Sequence, residues 1–349
     1  LLREVEKLAK ENRFDYILIE STGVGEPVPV AQTFTYIDEE QGIDLSRFCR
    51  LDCMVTVVDA YRFWHDFSSG ESLLARSQAV GEDDTREVVD LLIDQIEFCD
   101  VLLLNKCDLV DEAELVELEG VLRKLQPRAK IIRTKHGKVD PAEILSTGLF
   151  DFEAASDSAG WIQELEKATH TPETEEYGIS SFVFRARRPF HPGRLKAFLD
   201  RQWPGLLRAK GHLWLANRPD NVVHYSVAGA QARVNFKGLW WCAVPRERWP
   251  NVPQFHNYLR PRWDPVWGDR RQELVFIGSK LDEAAMRAAL AECLVGPETH
   301  FDPAAYAHLD DGGLGLSDAP DLQGHGTDPA RAAPPPAPRP PGLQAPAPV

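Results

Sequence analysis

The chain has 349 residues, with 54 acidic against 39 basic side chains, a net charge of -15 and a hydrophobic fraction of 43%. That length gives a prior of about two domains and apolar residue enough for a core, which excludes a wholly disordered chain. No apolar run approaches the ~18 residues of a bilayer span, and the acid excess argues against a nucleic-acid groove. Six cysteines at irregular spacing and no signal-peptide pattern make a reducing cytoplasm the simplest compartment.

The chain opens on Leu1 inside an amphipathic helical pattern, with Leu1, Leu2, Val5 and Leu8 on one face, and a start in mid-pattern reads as a fragment. Four apolar runs follow: Tyr16–Ile19, Met54–Val58, Val101–Leu104 and the weaker Lys130–Arg133. Runs of this length suit parallel strands buried on both faces. Helical patterns at Glu87–Phe98 and Ala113–Leu125 lie between them, so residues 1–150 read as a doubly wound α/β domain. Such sheets bind ligands beyond the carboxyl ends of their strands. The residues there are Glu20, Asp59, Asn105 and Thr134, all polar.

Residues 151–177 are acidic and aperiodic and read as a linker. From 178 to 297 the style changes to a smaller α+β domain. Strands are expected at Ile179–Phe184, His212–Ala216, Val222–Val227, Ala232–Phe236, Leu239–Val244 and Leu274–Ile277. Helices are expected at His191–Trp203, with Pro192 near its start, and at Asp282–Leu294, with Asp282 as N-cap. Seven of the nine tryptophans lie between Trp203 and Trp267. The cluster Trp240, Trp241 and Trp263–Trp267 is either core or a partner-docking surface, and strand alternation would expose one of Trp240 and Trp241. Residues 311–349 hold ten of the 26 prolines and read as a disordered tail.

Asn105-Lys106-Cys107-Asp108 directly follows a strand and fits the N-K-x-D pattern of guanine recognition. A carboxylate at Asp108 can accept from the ring N–H and the exocyclic amine of guanine, whereas adenine would leave it unpaired. Asn105 would brace the loop, and the Lys106 stem would lie along the base. Glu20-Ser21-Thr22-Gly23 follows the first apolar run. A carboxylate three residues before a glycine is where a P-loop hydrolase holds its Mg²⁺ water and meets the γ-phosphate. Alone it is also an ordinary strand-turn junction; with N-K-x-D downstream the nucleotide reading is favoured.

Ile19 to Pro27, the run Val57-Val58-Asp59-Ala60, the N-K-x-D strand, Phe190-His191-Pro192 and the stretch Trp263 to Glu273 together resemble the CobW-like GTPases, a metallochaperone family, in its zinc-regulated bacterial branch. The resemblance spans about residues 1–297. It implies a P-loop GTPase fold followed by a CobW C-terminal domain, with GTP and Mg²⁺ as cofactors and Zn²⁺ as cargo for metal-requiring client proteins. Glu20 and Gly23 would be catalytic, Glu20 holding Mg²⁺ through water. Asn105, Lys106, Asp108 and Thr134 would bind the nucleotide, and Asp59 would support Mg²⁺ or simply end a strand. The family's G-x-x-x-x-G-K-[ST] and C-x-C-C motifs do not occur in the sequence, so the fold is expected without its first strand, the zinc ligands stay unassigned, and weak GTP binding with negligible hydrolysis is expected of the chain as given. Cys49 with Cys53, His170 and His191 remain as minor metal candidates. Two alternatives stay open: a non-enzymatic client-binding adaptor, and a cobalt or cobalamin-pathway chaperone of the same family.

Overall fold

The computed structural model describes residues 2–21, 25–34, 45–68, 88–156, 159, 162, 178–296 and 301–316. Three parallel strands, β1 (Val55–Asp59), β2 (Val101–Asn105) and β3 (Lys130–Arg133), form one sheet in that order. The register sets Asp59 beside Asn105 and Leu104 beside Arg133, so the polar strand ends share one edge. Val101 to Leu104 are all buried, as a central parallel strand requires. Helices α4 (Val88–Glu97) and α5 (Glu112–Leu125) pack their apolar stripes on the sheet. Asp111 caps α5 by accepting from the Glu114 amide, and Arg123 and Lys124 close its last turn against the helix dipole. Before them come α1 (Leu2–Lys10), whose Val5 is buried against Phe34 and Leu45, then α2 (Pro27–Thr33) and α3 (Phe63–Ser68).

The run Tyr16–Ile19 is not a strand. A strand needs a neighbour's ladder, and among the described residues β1 pairs only with β2. The run is instead an extended segment with Leu18 76% exposed, and β1 itself turns Val55 and Val57 outward. Inside the acidic stretch, α6 (Phe152–Ser156) is fastened by a cluster of Phe98, Phe150 and Phe152. Most of the expected linker, and His170 with it, lies outside the described residues.

The second sheet runs β4 (Ile179–Ala186), β8 (Gln272–Ser279), β5 (Leu206–Leu215), β6 (Arg218–Ala228) and β7 (Gln231–Leu239), antiparallel throughout. Period-two alternation sorts its faces. Phe182, Phe184, Leu274 and Phe276 face a core shared with α7 (Pro192–Asp200) and α9 (Glu283–Cys293). Val183, Val275 and Ile277 face the other way and join the core of α4, α5 and β2. Asp282 caps α9 as expected, accepting from the Ala285 amide. Gly205 (φ 79°) permits the turn into β5: a Cβ there would sit 1.9 Å from the Ser279 carbonyl oxygen.

The expected strand Leu239–Val244 does not form. β7 ends at Leu239, and residues 241–243 make a 3₁₀ turn whose two leading amides, of Trp241 and Cys242, are both held by the Asp269 carboxylate. Trp240 is 2% exposed, so it is core. The structured chain also reaches past residue 311. Leu314 and Leu316 are buried against the second core, because Asp311 folds the Gly-rich stretch back by accepting from the Gly313 and Leu316 amides. Residues 317–349 lie outside the described set.

The two modules meet across a charged seam on α4. Glu97, buried, receives both arms of the Arg208 guanidinium at 2.8 and 2.9 Å. Asp90 pairs with Arg233 at 2.8 Å, and Lys210 lies 3.7 Å from Glu97. Asp90, Asp94 and Glu97 share one helical face, and burial raises the Asp94 carboxyl above its usual range.

Candidate functional site

The loop after β2 is built from its own backbone. Lys106 takes φ 62°, a left-handed turn that lets the chain leave the strand edge and enter the short 3₁₀ turn Cys107–Leu109. Asn105 faces β3: its Oδ1 accepts from the Thr134 hydroxyl at 3.1 Å and from the Gly137 amide at 3.0 Å. The Thr134 amide bonds the Leu104 carbonyl, and its own carbonyl accepts from the Cys107 amide. Thr134 is 3% exposed, so it braces the loop from behind instead of lining a ligand surface. Cys107 donates its thiol proton to the Leu104 carbonyl, and burial raises its pKa, so it acts as a packed thiol. Asp108 is exposed and its carboxylate accepts no hydrogen bond from the described residues.

Asp59, opposite Asn105, is fully engaged. One oxygen accepts from the Tyr61 and Arg62 amides at 3.1 Å, and the other pairs with the Lys106 ammonium at 2.6 Å. This draws the Lys106 stem across the carboxyl edge of the sheet. Asp59 therefore serves Lys106 and its own turn, which leaves it poorly placed to support Mg²⁺.

Glu20 is exposed and outside any strand, and no bond joins it to Asp59, Asn105 or Lys106. Its segment is tied at the other edge of the sheet. The Tyr16 hydroxyl donates to Asp52 at 2.9 Å, just before β1, and burial with that bond pushes its pKa up to about 12. The Gln95 side chain, near the end of α4, donates to the Gly25 carbonyl, and the Gln95 carbonyl accepts from Thr56. The structure thus brings together Asn105, Lys106, Asp59 and Thr134, with Asp108 beside them, and leaves Glu20 apart. Gly23 lies outside the described residues.

Of the metal candidates, burial raises both the Cys49 thiol and the Cys53 thiol, the latter to about 11, which disfavours the thiolate that zinc requires. His191 caps α7, its Nδ1 accepting from the Arg194 amide at 3.4 Å. Among the described residues no three His, Cys, Asp or Glu side chains gather as a metal site. No described helix is long and apolar enough to cross a membrane.

Sequence reasoning missed the turn Lys135–Lys138. His136 and Gly137 both take positive φ, and the Gly137 amide completes the Asn105 bracket. The available signal was a glycine three residues after a strand-end threonine. The residues present fit a guanine base: an open carboxylate, a braced asparagine and a lysine stem along one edge. The described residues supply no cradle of amides for a triphosphate.

Residues 1–133 match the family model described as the CobW/HypB/UreG nucleotide-binding domain. Residues 179–294 match the cobalamin synthesis protein cobW C-terminal domain. The chain is 42% identical over 299 residues to the zinc-regulated GTPase metalloprotein activator 1 of Dictyostelium discoideum, covering 84% of this chain and 62% of that protein. It is 31% identical over 265 residues to the zinc chaperone Rv0106 of Mycobacterium tuberculosis, covering 73% of this chain and 59% of that protein. It is 25% identical over 298 residues to the zinc chaperone YjiA of Escherichia coli, covering 83% and 75%. The chain thus spans about three fifths of the length of the first two relatives. With both domain models matched in order over most of its length, the chain belongs to the CobW family of nucleotide-binding proteins.

Proposed function

We propose that this chain is the guanine-reading and C-terminal portion of a GTP-dependent zinc metallochaperone, with domains at 1–150 and 178–297. The observation that carries the reading is the Asn105–Asp108 loop, held at the sheet's carboxyl edge with Lys106 drawn over by Asp59 and Asp108 left open. Asp108 accepts two hydrogen bonds from the guanine edge, and the Lys106 stem covers one face of the base. Asn105 holds the loop while Thr134 and Gly137 hold Asn105.

In that reading GTP would supply the phosphoanhydride cleaved in the switch, Glu20 would hold its Mg²⁺ and Gly23 would meet the γ-phosphate. Zinc is the cargo, an assignment supported by relatives named zinc chaperones, and client proteins that require the metal receive it. Nucleotide and metal are linked only if both favour one conformer.

The test is base preference. Asp108→Asn exchanges an acceptor for a donor, so guanine nucleotide binding weakens and xanthine nucleotide, with an oxygen in place of the amine, binds better. Competition against a fluorescent GDP analogue reads both; an unchanged guanine preference overturns the assignment. Because the sequence has no G-x-x-x-x-G-K-[ST] segment, this chain alone binds GTP weakly and turns it over negligibly, and tight GTP binding in calorimetry would refute that.

A further inference from the structure

The second module carries a cleft of about 630 Å³ that the nucleotide reading does not use. It lies around α8 (Pro253–Leu259), between the 3₁₀ turns Arg246–Arg248 and Arg260–Arg262. Trp249 and Trp263, both half-buried, line it and meet edge to face at 5.7 Å between centroids. Phe255, 1% exposed, packs behind Trp249 at 5.7 Å and fixes that ring, and the Trp249 indole N–H donates to the Val244 carbonyl. The aromatic wall is therefore preorganised and partly open to solvent.

Its lining is mainly cationic, with one acid, Glu247, among Arg246, His256 and Arg260. Residues 245–263 contain four arginines and a histidine against that one acid, within a module, residues 178–296, of 19 Lys and Arg against nine Asp and Glu. Arg246, Arg260 and His256 line the cleft and are exposed. Neither arginine makes an ion pair among the described residues. Arg246 instead lies over the Trp249 ring at 5.5 Å. Unpaired arginine beside fixed tryptophan is the composition of interface hot spots.

We propose that this cleft docks an acidic peptide segment of a partner protein, carboxylates meeting Arg246 and Arg260 and an apolar side chain lying on Trp249 and Trp263. Arg246 and Arg260 come from two segments that flank α8, which suits carboxylates spaced along an extended chain better than one compact anion. The cleft lies in a basic module, so an acidic partner is attracted to this part of the protein and meets exposed arginines beside the aromatic wall. The site is independent of the guanine loop, so its fate does not decide the nucleotide reading.

The test is a random peptide library selected on the full chain without nucleotide. Selected peptides are expected to carry Asp or Glu around an aromatic or aliphatic residue. They should bind Arg246→Glu/Arg260→Glu about tenfold more weakly or worse and lose affinity as salt rises. Reversal of Arg248, which is exposed but outside the cleft, should change affinity no more than about threefold. All three arginines are exposed, so the variants should keep the parent's thermal midpoint, which is checked directly. Four outcomes overturn the proposal: no peptide selected, selected peptides without acids, equal loss from Arg248→Glu, or displacement by inorganic phosphate alone, which would mark a phosphate site.

Discussion

Two ion pairs in this protein join residues far apart in the chain, and they do opposite work. Lys106 and Asp59 meet at 2.6 Å in solvent at the edge of the first sheet, with Lys106 46% and Asp59 27% exposed. Arg208 and Glu97 meet at 2.8 Å inside the seam between modules, at 2% and 7%. Screened by water, the first contributes little stability and serves mainly to orient a side chain. Shielded from water, the second is costly to break, because either charge left alone cannot be solvated. The first holds Lys106 on the loop proposed to read guanine, the second holds two modules in one register.

The sharpest way to break this contrast is Arg208→Ala. It leaves Glu97 buried with only the Lys210 ammonium, 3.7 Å away, as a partner and should cost up to about 3–5 kcal/mol, read as a lower denaturant midpoint. The double variant Glu97→Leu/Arg208→Met should recover most of that loss. If it does not, the seam depends on the charge pair itself and not on mere compatibility.

Acid tests the same side of the seam. His212 and His224 face each other across β5 and β6 at 5.9 Å, on the face that carries Arg208 and Lys210. Burial first, then the Arg271, Lys237 and Arg262 charges, with Glu273 opposing, holds the His212 pKa down to about 4. Burial, His212 and the Lys210, Lys237 and Arg208 charges hold His224 to about 3. Both are neutral when folded, whereas the unfolded chain takes up protons near 6.5. Stability is therefore full above pH 6.5 and falls as pH drops towards 4. The thermal midpoint should follow that course, and His212→Asn/His224→Asn should flatten it.

The exposed pair should show the reverse pattern, function without stability. Asp108→Asn should shift base preference by about 1.5–3 kcal/mol, the worth of hydrogen bonds to a charged group, and leave the thermal midpoint in place. Asp59→Asn keeps an oxygen for the Tyr61 and Arg62 amides but releases Lys106. It should cost no more than about 1 kcal/mol of stability while weakening guanine nucleotide binding several-fold. A large stability loss with unchanged binding would put Asp59 in the fold and not in the site.

The elements with local signals were legible. Val101–Leu104 was readable as a buried strand because four consecutive apolar residues have few other uses, and Asp282 was readable as a cap because capping is decided within three residues. Tyr16–Ile19 carries the same kind of apolar signal, yet it forms no strand, because a ladder is made by two partners and a run specifies only one. Leu239–Val244 misread for a related reason: a distant carboxylate, Asp269, captures the Trp241 and Cys242 amides. The aromatic cluster was visible as composition, but which rings reach solvent was not: Trp240 is buried, whereas Trp241, Trp249, Trp263 and Trp267 are all half-buried.

By itself the sequence determined where the residues proposed to read the base stand: at the end of a buried strand, in the N-K-x-D order, since both conditions are set by adjacent residues. Tertiary structure alone decided that Asp59 would hold Lys106 from 47 residues away and that Glu97 would meet Arg208 across 111. It also decided that arginines flanking α8 would gather on one tryptophan-lined cleft. The physical reason is that charge pairing and burial depend on distance in space, and only folding converts chain separation into distance.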